Sequence, residues 1–147
     1  MTGSDSEVVI SPTGWVADQA RIYEESGGTK GVTMQGVPCL LLDYKGRKSG
    51  QWRRTVLIYG RYGDDYLIVA SYGGSDQHPM WYLNLQANPD VRLRVGTERF
   101  TARAETLPAE DKARVWDSLV ELFPNYANYQ KKTSRDIPVV RLTRMDA

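Results

Sequence analysis

The chain has 147 residues, with 19 Lys and Arg against 18 Asp and Glu and a formal net charge of +1. That length carries one domain with a real core, and the near balance of charge argues against a protein drawn wholesale onto nucleic acid or anionic membrane. One cysteine excludes an internal disulfide, and with one histidine it is too few for a zinc site, so no metal is expected. No long apolar span and no signal-peptide pattern opens the chain, which predicts a cytoplasmic protein. Four Trp and nine Tyr against two Phe suit a pocket for a planar ligand, and equally an ordinary core with polar tips.

Residues 1–12 are small, polar and weakly acidic and are expected to form a mobile tail, leaving 13–147 as a single domain. From Thr13 to Ser26 the pattern predicts a helix, with Trp15, Gln19, Ile22 and Tyr23 on one side and Asp18, Arg21 and Glu25 outward. Gly27-Gly28 stops it, and Thr29 to Gly36 reads as a linker. Val37 to Tyr44 is a strand whose apolar run does not alternate, which predicts cover on both faces. A basic segment with Gly46 and Gly50 at its ends joins it to a strand from about Gln51 to Arg61. Gly63-Asp64-Asp65 turns the chain into a third strand, Tyr66 to Ala70. A glycine-rich loop, Ser71 to His78, leads to Pro79, which opens a short helix from Met80 to Ala87, ended by Asn88-Pro89.

Val91, Leu93 and Val95 alternate with Arg92 and Arg94, and Phe100, Ala102 and Ala104 alternate with Thr101, Arg103 and Glu105. With Gly96-Thr97-Glu98 between them, these are the two arms of a hairpin. Pro108 opens the longest helix, whose apolar stripe is Val115, Trp116, Leu119, Val120 and Phe123. Pro124 breaks it, Asn125 to Lys132 is a short tyrosine-bearing helix or turn, and Ile137 to Leu142 is the last strand. About six strands, mostly hairpin-linked, predict an antiparallel sheet that closes into a small barrel. No glycine fingerprint opens a βα unit, which excludes a Rossmann reading.

The basic segment holds Lys45, Arg47, Lys48, Arg53 and Arg54 and no carboxylate. It reads as an anion cradle or as a solvated turn, and the pattern alone leaves both open. Cys39 sits in an apolar run as a core thiol, and His78 beside a helix start reads as a surface or capping residue. With no Gly-x-Ser-x-Gly elbow, no nucleophile and base are evident. What remains is ligand binding, with a cofactor doing any chemistry.

Gly46-Arg47-Lys48-Ser49-Gly50-Gln51 with Arg53, then Ala70-Ser71 with Gly73-Gly74, then Pro79-Met80-Trp81-Tyr82-Leu83-Asn84-Leu85 with Asn88-Pro89, resemble the deazaflavin-dependent nitroreductase family. Pro124-Asn125-Tyr126 and Ile137-Pro138-Val139 extend the likeness from about Val37 to Leu142. The resemblance implies an α+β, mainly β fold: a split antiparallel barrel with flanking helices, related to flavin mononucleotide (FMN) oxidases and flavin reductases. It implies the deazaflavin coenzyme F420 as cofactor, with FMN as the alternative, and hydride transfer to quinone-like or nitroaromatic acceptors. A deazaflavin carrier without turnover is the non-enzymatic alternative. In that picture Arg47, Lys48, Ser49 and Arg53 hold the phosphodiester and oligoglutamate tail. The backbone of Thr55, Val56, Leu57 and Ile58, and of Ala70, Ser71, Tyr72 and Gly73, lines the ring system. Met80 and Trp81 border it, Tyr126 and Tyr129 face the substrate, and Ser71, Tyr126 and Tyr129 are candidate proton donors. Tyr72 stands where family members carry a lysine, and Phe123 where they carry a tyrosine. A small-molecule electron acceptor is the expected partner, nucleic acid is not, and a quinone acceptor implies peripheral contact with the inner face of the membrane.

Overall fold

The computed structural model describes residues 8–10 and 14–145. In chain order the elements are β1 (Val9–Ile10), α1 (Gly14–Glu25), β2 (Thr33–Met34), β3 (Val37–Lys45), β4 (Trp52–Ile58), β5 (Gly60–Tyr62) and β6 (Asp65–Val69). A one-turn 3-10 helix (Tyr72–Gly74) follows, then α2 (Met80–Ala87), β7 (Asp90–Val95), β8 (Glu98–Thr106), α3 (Ala109–Leu122), α4 (Asn125–Lys132) and β9 (Val139–Arg144).

The strands make one curled sheet in the order β1-β4-β3-β7-β8-β9-β6-β5, with β2 added against β3. Every pairing is antiparallel except the parallel pairing of β1 with β4. The strand expected from Gln51 to Arg61 is broken at Tyr59, which alone separates β4 from β5. One half of that segment pairs with β3 and the other with β6, near opposite ends of the sheet order. A sheet whose two ends share one chain segment must curl on itself. The fold is therefore mainly β, a split barrel with four flanking helices among the described residues.

Curling separates an inside from two outsides. Leu40, Leu42, Tyr44, Ile68, Leu93, Phe100 and Leu142 point inward and pack with Trp81, Tyr82 and Leu85 of α2. Outside, α1 covers Cys39, Leu41 and Val56 through Val16, Ala20 and Tyr23. On the other flank, α3 and α4 cover Leu67, Val69 and Val139 through Val115, Leu119, Phe123 and Tyr126. The run Cys39-Leu40-Leu41-Leu42 is at most 2% exposed throughout, which is why it does not alternate.

Four expectations need correction. The buried stripe of α1 is Val16, Ala20 and Tyr23, spaced four and three residues apart; Trp15 and Ile22 are exposed. Ala20 is small enough to bring the helix axis close to the sheet, so the helix turns that side inward rather than the bulkier one. The linker contains β2, which pairs with β3 through a two-residue turn, Gln35-Gly36, with positive φ at both (53° and 78°). Val9–Ile10, within the expected tail, pairs with Arg53 and Arg54; the rest of 1–12, apart from Val8, lies outside the described residues, as does Thr13. The last strand begins at Val139, one residue after Pro138, whose carbonyl accepts from the Ala70 amide at 2.9 Å. Among the described residues no helix is long and apolar enough to cross a membrane.

The end of α1 is fastened by Tyr23 and Gly28. The fully buried Tyr23 hydroxyl accepts from Gly96 N at 2.7 Å and has Cys39 O (3.1 Å) and Arg94 O (3.3 Å) as acceptors for its one proton. Gly28, at φ +85°, lies so close to Gly96 that a Cβ there would come within 1.7 Å of the Gly96 carbonyl oxygen. Removing the hydroxyl orphans the part-buried Gly96 amide and takes away the one proton that the Cys39 and Arg94 carbonyls share. Tyr23→Phe is expected to lower unfolding stability by about 1–3 kcal/mol in urea titration. An unchanged midpoint would mean that apolar packing alone holds α1.

Candidate functional site

The basic hairpin sits at the end of the barrel where α2 begins. Lys45 and Trp52 are its last register pair; Gly46 N then donates to Gln51 O (2.9 Å), and Gly50 N to Gly46 O (2.8 Å). Ser49 Oγ accepts from Gln51 N at 3.1 Å, so Ser49 shapes the turn and keeps its hydroxyl proton to donate outward. Arg47 is tied to α2: its backbone N–H and its Nη1 both donate to Asn84 Oδ1, at 2.9 and 3.0 Å, and Nη1 lies 3.4 Å from Met80 Sδ. Asn84 is 2% exposed in an otherwise apolar stretch of α2. Sequence reasoning passed over it, although an amide among Trp81, Tyr82 and Leu85 signals a buried polar group that must find partners.

The five cations do not act together. Alternation along β4 sends Arg53 to the face of Tyr44 and Arg54 to the opposite face. There Arg54 is buried, with Nε and Nη2 on the two carboxylate oxygens of Asp43 (2.7 and 2.9 Å). Lys45 lies over the Trp52 ring. Lys48 is exposed at the hairpin tip with no carboxylate in ion-pair range among the described residues. Arg47, Lys48 and Arg53 are therefore the cations of this face.

Two further pieces lie beside the hairpin. β1 pairs with β4 only at Arg53 and Arg54, so along Thr55–Ile58 no strand covers that edge of β4 among the described residues. The second piece is the loop from Ala70 to His78, with Tyr72 61% exposed at φ 47° and Met80 exposed at the start of α2. A tyrosine in the left-handed region is strained backbone held by its surroundings. Trp81 turns the other way, into the barrel core, edge-on to Tyr82.

Arg135 is what holds that loop. Its guanidinium donates to Ala70 O (3.2 Å), Ser71 O (2.8 Å) and Ser75 O (2.7 Å), and meets His78 Nδ1 at 3.1 Å. Thr133 Oγ1 donates to Asp76 Oδ1 at 2.7 Å. From the other side α4 presses on Gly74, where a Cβ would sit 3.0 Å from Tyr129 O. Sequence reasoning missed both Arg135 and Thr133, which stand in an aperiodic stretch with no motif.

The tyrosines differ. Tyr126 is 4% exposed, packed edge-on against Phe123 and beside Trp116, and burial, with Tyr129 nearby, pushes its hydroxyl well above the ordinary range. It is a core residue of the α3–α4 layer and stays neutral. Tyr129 is half-buried and adjoins the 3-10 turn; Ser71 is buried beside it in the loop. Cys39, held under α1 with Gln19 Nε2 at 3.3 Å from its sulfur, is pushed up to about 12 by burial and is no nucleophile. It shares no cluster with His78, which packs on Tyr82. No group of three His, Cys, Asp or Glu side chains that could hold a metal stands together among the described residues.

A family model described as F420H(2)-dependent quinone reductase matches residues 15–144. An F420H(2)-dependent quinone reductase of Mycobacterium tuberculosis is 49% identical over 127 residues, covering 84% of this chain and 85% of its own. The solved structure of an F420-H2 dependent reductase (FDR-A) is 39% identical with a TM-score of 0.67, over 71% of this chain and 93% of that one. A structure described as a domain-swapped dimer is also 39% identical, with a TM-score of 0.69 over 90% and 99% of the two chains. The haem storage protein HutZ of Vibrio cholerae, at 15% identity and a TM-score of 0.57, shares the fold alone.

His78 gives the loop a pH dependence. Burial, then the Arg135 charge, lowers its pKa below the ordinary 6.5. The folded loop thus holds a neutral imidazole, whose Nδ1 must accept from Arg135, while the unfolded chain binds a proton more readily. The contribution to stability is complete above the unfolded pKa and is lost as pH falls through 6.5 toward the lower folded value. Melting temperature is expected to fall more steeply for the native protein than for His78→Asn between about pH 7.5 and about pH 5.5. Parallel profiles would remove His78 from the loop's energetics.

Proposed function

Since this chain belongs to the F420H(2)-dependent quinone reductase family, we propose that it reduces quinone-like acceptors, and electron-poor nitroaromatics, at the hairpin end of the barrel. The protein is an oxidoreductase and its cofactor is the deazaflavin coenzyme F420. The observation that carries the site is the cation face of Arg47, Lys48 and Arg53, which meets no carboxylate among the described residues and is fixed to α2 by Asn84. It stands beside the Thr55–Ile58 stretch of β4 and the loop held by Arg135.

These residues fit such a cofactor. An anionic tail needs donors not already neutralised, and Lys48 and the Ser49 hydroxyl proton supply them. A planar ring needs a slot between apolar surface and directed backbone groups, which Thr55–Ile58, Ala70–Gly73 and the exposed Met80 border. When bound, the reduced deazaflavin supplies a hydride to the acceptor. The chain's own part is to hold both molecules at contact distance and to keep water from the transfer. Ser71 and Tyr129 are the donors placed to meet negative charge developing on the acceptor; Tyr126 supports them from the core. Tyr72 puts an exposed aromatic ring where the family has a cation, which shifts recognition from charge toward stacking. Trp15 and Ile22, exposed on α1, are the apolar surface with which the protein would meet lipid-dissolved quinone.

Lys48→Ala is expected to weaken F420 binding by about 1–3 kcal/mol in a fluorescence titration, with a shallower dependence on salt. Unchanged affinity would remove Lys48 from the site, and tighter binding of FMN than of F420 would transfer the site to a flavin. Mixing the reduced coenzyme and menadione with the protein should oxidise the coenzyme well above the protein-free rate in stopped flow. Binding without that oxidation, across quinones and nitroaromatics, would make the protein a carrier.

A further inference from the structure

A second basic site lies on the outer face of the sheet, away from the hairpin. Register places Arg54, Asp43, Arg92 and Thr101 in one row across β4, β3, β7 and β8, and Leu41, Arg94 and Arg99 in the next. Paired residues share a face, so all of these point outward, on the side that α1 covers only in part. Glu24, in the last turn of α1, reaches over the end of the rows. Together they border a cavity of about 430 Å³ in which four arginines face two carboxylates, Asp43 and Glu24.

The carboxylates bind the tips of the guanidinium groups. Arg54 takes Asp43, Arg92 Nη2 stands 3.4 Å from Asp43, Arg94 Nη1 meets Glu24, and Arg99 Nη2 lies 2.7 Å from Glu24. The inner Nε–H groups of Arg92 and Arg94 are buried and have no acceptor among the described residues. Buried charged donors without an acceptor are rare in folded proteins, since their desolvation is not offset. Arg92 is also fixed in place, with its guanidinium 3.9 Å from the centre of the Trp52 ring. The four guanidinium groups outnumber the two carboxylates, so the wall of the cavity keeps an excess of positive charge, which a phosphate-type oxyanion neutralises through charge-assisted hydrogen bonds.

We propose that this cavity is a binding site for a phosphate-type oxyanion, distinct from the cofactor site and on the opposite face of β4. The partly exposed guanidinium groups of Arg92 and Arg99 supply the donors, Thr101 lies beside them, and Asp43 and Glu24 hold the arginines in position. The proposal does not rest on the cofactor assignment, because Arg53 serves that face and Arg54 serves this one.

The test is a thermal-shift titration with inorganic phosphate against sodium chloride at matched ionic strength. Native protein should show a saturable rise in melting temperature with phosphate. Arg92→Gln and the half-exposed rim variant Arg99→Gln should each raise the half-saturating concentration roughly tenfold, as expected for loss of one charge-assisted contact. Arg99→Gln keeps the test valid if Arg92→Gln fails to fold. Lys48→Ala, at the hairpin, should leave the phosphate response unchanged. An equal response to chloride, an unaltered response in Arg99→Gln, or a response lost in Lys48→Ala would each overturn the proposal. Cosedimentation with phosphatidic acid vesicles but not phosphatidylcholine vesicles, abolished in Arg99→Gln, would identify a lipid headgroup as the source of the phosphate. Response to soluble phosphate without cosedimentation would identify a free phosphate compound.

Discussion

Tyr59 is the residue at which one extended segment stops pairing with β3 and starts pairing with β6. Because the same segment serves both regions of the sheet, the sheet cannot lie flat. Its inner face becomes a small core with α2 as the plug, and its outer face is left in two parts that need separate cover. Tyr59 itself stays half-buried, edge-on to Tyr66 at 5.3 Å between ring centres. The placement of every helix follows from this curl. So does the position of the site, since the β3–β4 hairpin extends past the plugged end, where α2 begins.

Two polar side chains, one buried and one half-buried, then fix loops that apolar packing could not. Asn84 offers one oxygen to two donors of Arg47, and Arg135 spreads its donors over three carbonyls and an imidazole. Both are satisfied where they stand, and each would leave several groups orphaned if removed, so the cost of distorting either loop is high. The loops they hold carry little secondary structure of their own. That combination gives a site whose backbone is fixed while Lys48, Tyr72 and Met80 remain exposed to a ligand.

Much of this was legible in the sequence, and the rest was hidden for physical reasons. The β7–β8 hairpin, the buried run of β3 and the Pro-initiated α2 and α3 follow from period, burial and proline chemistry, and the structure has them within a residue or two. β1, β2 and β5 are two or three residues long, too short for any period to register. The face of α1 was misread because Trp15 and Ile22 are its largest apolar residues, whereas close approach to the sheet favours Ala20. Asn84 was visible as a polar residue in an apolar helix. Arg135 was not, because its acceptors lie about sixty positions earlier and no local pattern announces them. Tyr126 matched a family position, yet its burial among Phe123 and Trp116 depends on how α3 meets α4.

Arg53 and Arg54 show how the same rule that builds the sheet divides its chemistry. Read as a run, they belong to one basic turn. On a strand, neighbours point to opposite faces, so one enters the hairpin face and the other the outer face with Asp43. The split leaves each face with its own balance. At the hairpin no carboxylate among the described residues accompanies Arg47, Lys48 and Arg53, which suits a ligand that brings the negative charge. On the outer face two carboxylates engage four guanidinium groups among the described residues, so positive charge stays in excess around the cavity. A net charge of +1 therefore conceals two basic surfaces back to back on one strand.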